Sequence, residues 1–215
     1  MLEIYLTRHG ETEWNTIRRM QGQGNSPMTE LGIRQAQWLA ERLKEKEFTC
    51  IYTSPLGRAK ETAEILNEAL NTTIIEDDRL KEIYLGDWQG QLLEDIDKDY
   101  PEENKAFWEK PIQFDMPDKE DFEDVRKRAG EFFEAVIQQH GSGKILVVAH
   151  AIILKGMLNY IQGKTVEDYW TGKRLLPTSL TKINVLGHRY SLIYTGETSH
   201  HEEPMSKGWF LDEEE

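Results

Sequence analysis

The sequence predicts an α/β fold, a three-layer α/β/α sandwich around a mostly parallel sheet, on three observations. Strand-like and helix-like patterns alternate along most of its 215 residues. One run, Lys144-Ile145-Leu146-Val147-Val148-Ala149, is apolar after its lysine, as expected of a strand buried on both faces. Thr7-Arg8-His9-Gly10, Thr53-Ser54-Pro55 and Ala149-His150 stand where predicted strands end, the edge at which open α/β sheets bind ligands.

Each element has its own signal. Leu2 to Leu6 alternates and is bounded by Gly10, a first strand. From Thr29 to Lys46, Ala36, Leu39, Ala40 and Leu43 recur at helical spacing, with Thr29 as N-cap. Thr49 to Thr53 is a second strand. Pro55 to Leu70 is a second helix, carrying Ala59, Thr62, Ala63 and Leu66 on one face, and Thr72 to Glu76 is a third strand. Between about 79 and 120 the periodicity lapses amid Gly86, Gly90, Pro101, Pro111 and several aromatics. This stretch reads as an insertion of loops and short helices over the site, within a single domain spanning 1–215. Phe122 to His140 is a long helix with Phe122, Val125, Ala129, Phe132, Phe133 and Val136 inward. After the apolar strand another helix runs to Gln162. Ser179–Val185 and Tyr190–Tyr194 form a closing hairpin around Gly187-His188.

Composition narrows the function classes. The chain is 38% hydrophobic and 30% charged, a globular balance. Its net charge of -13 repels nucleic acid and anionic membrane at long range, so neither is an expected partner. Any anion site must then be a local cluster of arginines and amides. Glu76-Asp77-Asp78 and the Asp212–Glu215 tail read as solvated surface, and His200-His201 as tail. No apolar run is long enough to span a bilayer, and Met1–Leu6 lacks the basic start of a leader peptide. The single Cys50 cannot form an intramolecular disulfide. A cytoplasmic protein is expected, with neither metal nor cofactor.

The chemistry gathers at the strand ends. Arg8 beside His9 disfavours protonation of the imidazole and offers a planar fork of donors to phosphate oxygens. Gly10 lets backbone approach a ligand closely. Taken alone, Arg-His-Gly reads more readily as a satisfied turn histidine or a metal ligand. Arg58 opens a helix after a strand, where free amides and the helix dipole attract anions; its plainer reading is a surface ion pair. His150 directly follows the buried strand; its plainer reading is a core histidine bonded to backbone.

Four blocks in order are similar to the histidine phosphatase superfamily, the phosphoglycerate-mutase-like family. They are Arg8-His9-Gly10-Glu11-Thr12-Glu13-Trp14-Asn15, Ser54-Pro55-Leu56 with Arg58-Ala59 and Thr62-Ala63, Glu82 to Gly90, and Val147-Val148-Ala149-His150. The resemblance covers almost the whole chain and implies roles. His9 is the nucleophile that becomes phosphohistidine. Arg8, Arg58 and His150 clamp the phosphoryl oxygens. Glu82 gives a proton to the leaving alcohol and then activates water, with Asp87 as its rival. Asn15, Gln21, Gly22 and Ala151 fall on substrate-binding positions. The sequence departs from the family at Ala151, where glycine is usual, and at Asn25-Ser26-Pro27-Met28-Thr29 in place of Asp-x-Pro-Leu-Thr, a change expected to touch packing only.

The resemblance does not separate phosphatase from cofactor-dependent phosphoglycerate mutase. Mutases of the family carry a longer, basic insertion. Here the region holds Asp95, Asp97, Asp99, Glu102 and Glu103 near Phe107, Trp108 and Phe114. That favours hydrolysis of a small phosphorylated metabolite by a monomer or homodimer. The aromatics read equally as site lining or as packing. An inactive phosphate-binding regulatory protein is the third reading, which only Ala151 suggests.

Overall fold

The computed structural model describes residues 1–187 and 189–204. Along the chain run β1 (Leu2–Arg8), α1 (Glu13–Thr16), α2 (Glu30–Leu43), β2 (Cys50–Thr53), α3 (Gly57–Leu70), β3 (Thr73–Glu76), α4 (Leu93–Asp99), α5 (Pro101–Glu109), α6 (Phe122–Gln139), β4 (Gly143–Ala149), α7 (Ala151–Ile161), β5 (Leu180–Leu186) and β6 (Arg189–Glu197). The six strands form one mixed sheet in the order β3-β2-β4-β1-β5-β6. β1, β2, β3 and β4 are mutually parallel, and the β5–β6 hairpin returns antiparallel along β1. This is the predicted α/β sandwich.

Alternation along the central strands sorts side chains onto the two faces. Leu2, Ile4, Leu6, Ile145, Val147 and Ala149 point to one core, which α6, α7 and the aromatics of the 79–120 stretch cover. Tyr5, Leu146 and Val148 point to the other, covered by Leu39 and Leu43 of α2 and by Ala59, Ala63 and Leu66 of α3. β4 is apolar from Ile145 to Ala149, where it has a covered face on each side.

Boundaries follow local chemistry. Thr29 caps α2 as expected, its hydroxyl accepting from the Gly32 amide at 3.0 Å. α3 starts at Gly57 instead of Pro55, because Leu56 is still extended. In the closing hairpin Gly187 has a φ of +60° that favours glycine; His188 and the Asp212–Glu215 tail lie outside the described residues. His200 and His201 are not loose tail. Their Nε2 atoms meet the Thr178 carbonyl at 3.1 Å and the Thr178 hydroxyl at 2.9 Å, and His201 packs near Trp38. Among the described residues no helix is long and apolar enough to cross a membrane.

The aromatics of the 79–120 stretch decide between lining and packing. Trp88, Phe107 and Phe114 are buried and meet one another at centroid distances of 5.0 to 5.9 Å; Phe107 and Phe114 meet Phe122 at 5.0 and 5.7 Å, and Phe107 meets Trp170 at 5.7 Å. They are core, and they tie the 79–120 stretch to α6 and to the loop after α7.

Candidate active site

Strand register builds the site. Arg8 pairs with Ala149 and Thr53 with Val148, so His9, Ser54 and His150 leave adjacent strands at one level. Two ladder-like bonds continue past the strands: the His9 amide to the Ala149 carbonyl and the Ser54 amide to the Val148 carbonyl, both 3.0 Å. Side chains distant in sequence are thus delivered to one edge, with the His9 and His150 ring centroids 5.2 Å apart.

His9 has a defined tautomer. Its Nδ1 lies 2.7 Å from the Gly10 carbonyl, which can only accept, so Nδ1 carries the hydrogen. Nε2 keeps its lone pair, and Arg58 Nε donates to it at 3.2 Å. Burial, then Arg58, then Arg8 hold the imidazole well below the usual histidine range, against a smaller opposing pull from the Gly10 bond. The expected effect of Arg8 is present but ranks behind burial and Arg58.

Arg58 is buried and anchored. Its two terminal nitrogens donate to the Gly24 and Gly22 carbonyls at 2.6 and 2.7 Å. Its own amide donates to Asn25 Oδ1 at 3.2 Å. The Asn25 departure therefore does more than pack: it caps α3 at the residue that carries the guanidinium. Arg8 donates to the Leu175 carbonyl at 3.1 Å. Burial lowers both guanidinium groups to about 10, with the Glu82 carboxylate pulling each upward, so both stay charged at neutral pH.

His150 Nε2 sits 2.8 Å from the Ser54 hydroxyl, and its buried Nδ1 has no partner. Burial, then Arg58, His9 and Arg8 keep this ring too well below the usual range. Ala151 opens α7 in helical geometry, so its methyl costs no backbone strain where glycine is usual. Its amide has no hydrogen-bond partner among the described residues.

Glu82 lies across the same helix start. Oε1 accepts from the Ile83 and Ile153 amides at 3.0 and 3.1 Å, and Oε2 from the Ile152 amide at 3.1 Å. A carboxylate oxygen has two lone pairs, so Oε1 is saturated and Oε2 keeps one. Asp87, the rival acid, is exposed while Glu82 is buried. Asn15 and Gln21 are less direct than expected. Asn15 Oδ1 accepts from the Thr12 amide and hydroxyl, both at 3.1 Å, and Gln21 Nε2 donates to the Thr12 hydroxyl at 2.9 Å. Both brace the loop after β1. Gly22 has a φ of +49° and presents its carbonyl to Arg58.

Gly10 serves a contact other than the expected one. A Cβ there would lie 2.4 Å from the Gly32 carbonyl oxygen, so the close approach of α2 by itself requires the glycine. Sequence reasoning also missed Arg128 on α6. Its guanidinium donates to the Arg79, Lys81 and Glu82 carbonyls at 2.8, 2.5 and 3.2 Å. It also holds both oxygens of Glu120, at 2.5 and 2.8 Å. All five of its N–H donors are thereby used, and they fix the backbone that carries Glu82.

Comparison with known proteins gives the family. The sequence profile described as histidine phosphatase superfamily (branch 1) matches residues 4–198. Phosphoserine phosphatase 1 of Hydrogenobacter thermophilus is 33% identical over 171 residues, covering 80% of this chain and 81% of that one. A probable phosphoglycerate mutase, GpmB, of Serratia proteamaculans is 34% identical over 163 residues, 76% of each chain. Among solved structures, Bacillus stearothermophilus YhfR superposes with a TM-score of 0.90 at 38% identity, covering 93% of this chain and 99% of that one.

Proposed function

Because the chain belongs to the histidine phosphatase superfamily, we propose that it is a metal-independent phosphomonoester phosphatase. Its substrate is a small phosphorylated metabolite, and it works through phosphohistidine at His9. The observation that carries this reading is the His9 ring: Nδ1 is tied to a carbonyl, and Nε2 holds a lone pair under a guanidinium.

The substrate phosphoryl group enters among Arg8, Arg58 and His150. Arg58 Nε turns from His9 Nε2 to a phosphoryl oxygen and frees the nucleophile. Nε2 attacks phosphorus, the N–P bond forms, and the bond to the ester oxygen breaks. That oxygen takes the proton of a Glu82 carboxyl protonated on Oε2, the oxygen whose second lone pair no amide occupies, and Glu82 is left as the carboxylate. A neutral His150 that accepts the Ser54 O–H at Nε2 carries its own hydrogen on Nδ1, the atom left to donate to a phosphoryl oxygen. Charge that builds on those oxygens in the transition state meets fixed donors and needs no reorganisation. In the second step Glu82 takes a proton from water. The water oxygen bonds to phosphorus, the N–P electron pair returns to Nε2, and inorganic phosphate leaves.

The name of the GpmB relative keeps the mutase as a second reading. A mutase must hold a second anionic group of the glycerate. Near Glu82 the guanidinium group of Arg128 is spent on the 79–82 carbonyls and on Glu120, which favours the phosphatase. An inactive binder fits less well, since His9, Arg8, Arg58, Glu82 and His150 are all present and gathered. The purified protein, supplied with phosphorylated metabolites, is expected to release phosphate without bisphosphoglycerate. Interconversion of the two phosphoglycerates outpacing phosphate release would establish the mutase instead.

A further inference from the structure

Apart from the site around His9, a cavity of about 220 Å³ lies between the later turns of α7, the loop around 164–173, and β6. A water molecule's share of liquid is about 30 Å³, so a tetrahedral oxyanion fits with solvent beside it. No residue lining this cavity belongs to the site around His9. In a chain of net charge -13, the charged groups that line it are Lys155, Lys164 and Lys173 against the single Asp168.

Two of the lysines converge on one residue. Lys155 Nζ donates to the Thr171 carbonyl at 2.8 Å, and Lys164 Nζ donates to the Thr171 hydroxyl at 3.2 Å. Neither has a carboxylate partner among the described residues. An ammonium has three N–H donors, so each keeps two after its bond to Thr171. Lys155 is buried, and burial, then Lys164 and Arg174, bring it down to about 8. Asn159 is 3% exposed, its Nδ2 donates to the Thr165 carbonyl at 2.9 Å, and its Oδ1 is buried with no partner.

The two halves of this cavity ask for different things. The ammonium groups ask for an anion, while the amide oxygen asks for a donor. A buried carbonyl oxygen left without one is costly. We propose that the cavity binds a small oxyanion that carries its own O–H, of the hydrogen phosphate class, with oxygens on Lys155 and Lys164 and its O–H donated to Asn159 Oδ1. Sulfate has the same shape but no proton at neutral pH, so one of its oxygens would face the amide oxygen lone pair to lone pair.

The test reads the Lys155 side chain by NMR in the full-length protein at pH 7.5, its signal identified by loss in Lys155→Met. Inorganic phosphate and sulfate are titrated separately at equal ionic strength. Phosphate is expected to shift the Lys155 signal saturably, and sulfate to bind at least about tenfold more weakly. In Lys164→Ala the phosphate response is expected to fall about tenfold, while p-nitrophenyl phosphate hydrolysis is retained. Asn159→Leu should level phosphate and sulfate if it folds; the anion ratio in the unaltered protein makes the same discrimination without it. Absence of a saturable shift, equal binding of the two anions, or an unchanged response in Lys164→Ala would each overturn the proposal. The last outcome would mean that the signal comes from phosphate in the site around His9.

Discussion

Glu82→Gln separates the two jobs given to that carboxyl. In the resting protein it accepts three amides, two on Oε1 and one on Oε2. Glutamine can keep an oxygen in the first place but then sets an NH₂ group against the Ile152 amide, donor to donor. One buried amide at the start of α7 loses its partner, which costs about 1–3 kcal/mol. Loss of negative charge at that helix start adds about 0.3–1 kcal/mol. For a chain of this size, roughly 2–4 °C per kcal/mol gives a fall in Tm of roughly 3–15 °C. Kinetics therefore belong at 25 °C, well below the transition. Alkyl phosphates, whose leaving alcohol needs a proton, are expected to lose on the order of 10²–10⁴ in rate. p-Nitrophenyl phosphate needs little protonation, so its first phosphoryl transfer should suffer much less. The second step still lacks its base, and phosphoenzyme should accumulate as an acid-labile, alkali-stable label in rapid quench. His9→Ala should trap none. Equal slowing of alkyl and aryl esters with no trapped label would refute the assignment and move the acid role to Asp87. An unchanged Tm would refute the three-amide geometry.

Three further outcomes are expected. Arg128→Lys replaces five donors with three, so it should lose about 2–4 kcal/mol in urea denaturation. It should also slow alkyl esters about 10–100-fold while sparing p-nitrophenyl phosphate; equal loss on both would uncouple Arg128 from Glu82. Stability should fall with pH below neutrality, because His9 and His150 are held well below 6.5 when folded and take up protons near 6.5 when unfolded. That contribution is complete above pH 6.5 and is lost as pH drops toward the folded values, at up to about 1.4 kcal/mol per pH unit for each ring. Denaturation curves of His9→Ala should be shallower in pH by one such increment, and parallel curves would contradict the assignment. Metavanadate, a mimic of the five-coordinate phosphoryl group, should inhibit competitively with respect to substrate, and EDTA should leave the rate unchanged. Activity lost to EDTA and restored by Mg²⁺ or Zn²⁺ would sink the metal-independent reading.

Much of this was legible because strand periodicity and strand ends are local signals. The apolar run into Ala149 marks β4, and His150 beyond it falls where parallel strands offer a ligand edge. Thr29 marks a helix start by its own chemistry. What stayed hidden depends on register and long-range contact. Arg128 lies 46 residues from Glu82, and its pattern on α6 is that of any outward-facing arginine. Gly10 announces a close approach, but nothing local tells that the approaching backbone is Gly32. Asn25 looks like a loop substitution until the Arg58 amide is found on its Oδ1. His200-His201 sits near the acidic end of the chain, and only the folded position of Thr178 shows what holds it.

The bond from His9 Nδ1 to the Gly10 carbonyl has a consequence for the phosphoenzyme. When Nε2 takes the phosphoryl group along the proposed route, Nδ1 keeps its hydrogen and the ring becomes a cation. A neutral phosphoimidazole would be a poor leaving group, whereas the cation departs as neutral imidazole. The carbonyl thereby makes the intermediate an energised phosphoryl donor that discriminates little among oxygen nucleophiles. Whether phosphate or a new ester is formed then depends on which hydroxyl reaches the phosphorus. Hydrolysis and transfer to an added alcohol become two exits from a single state, in proportion to how well the cleft admits each acceptor.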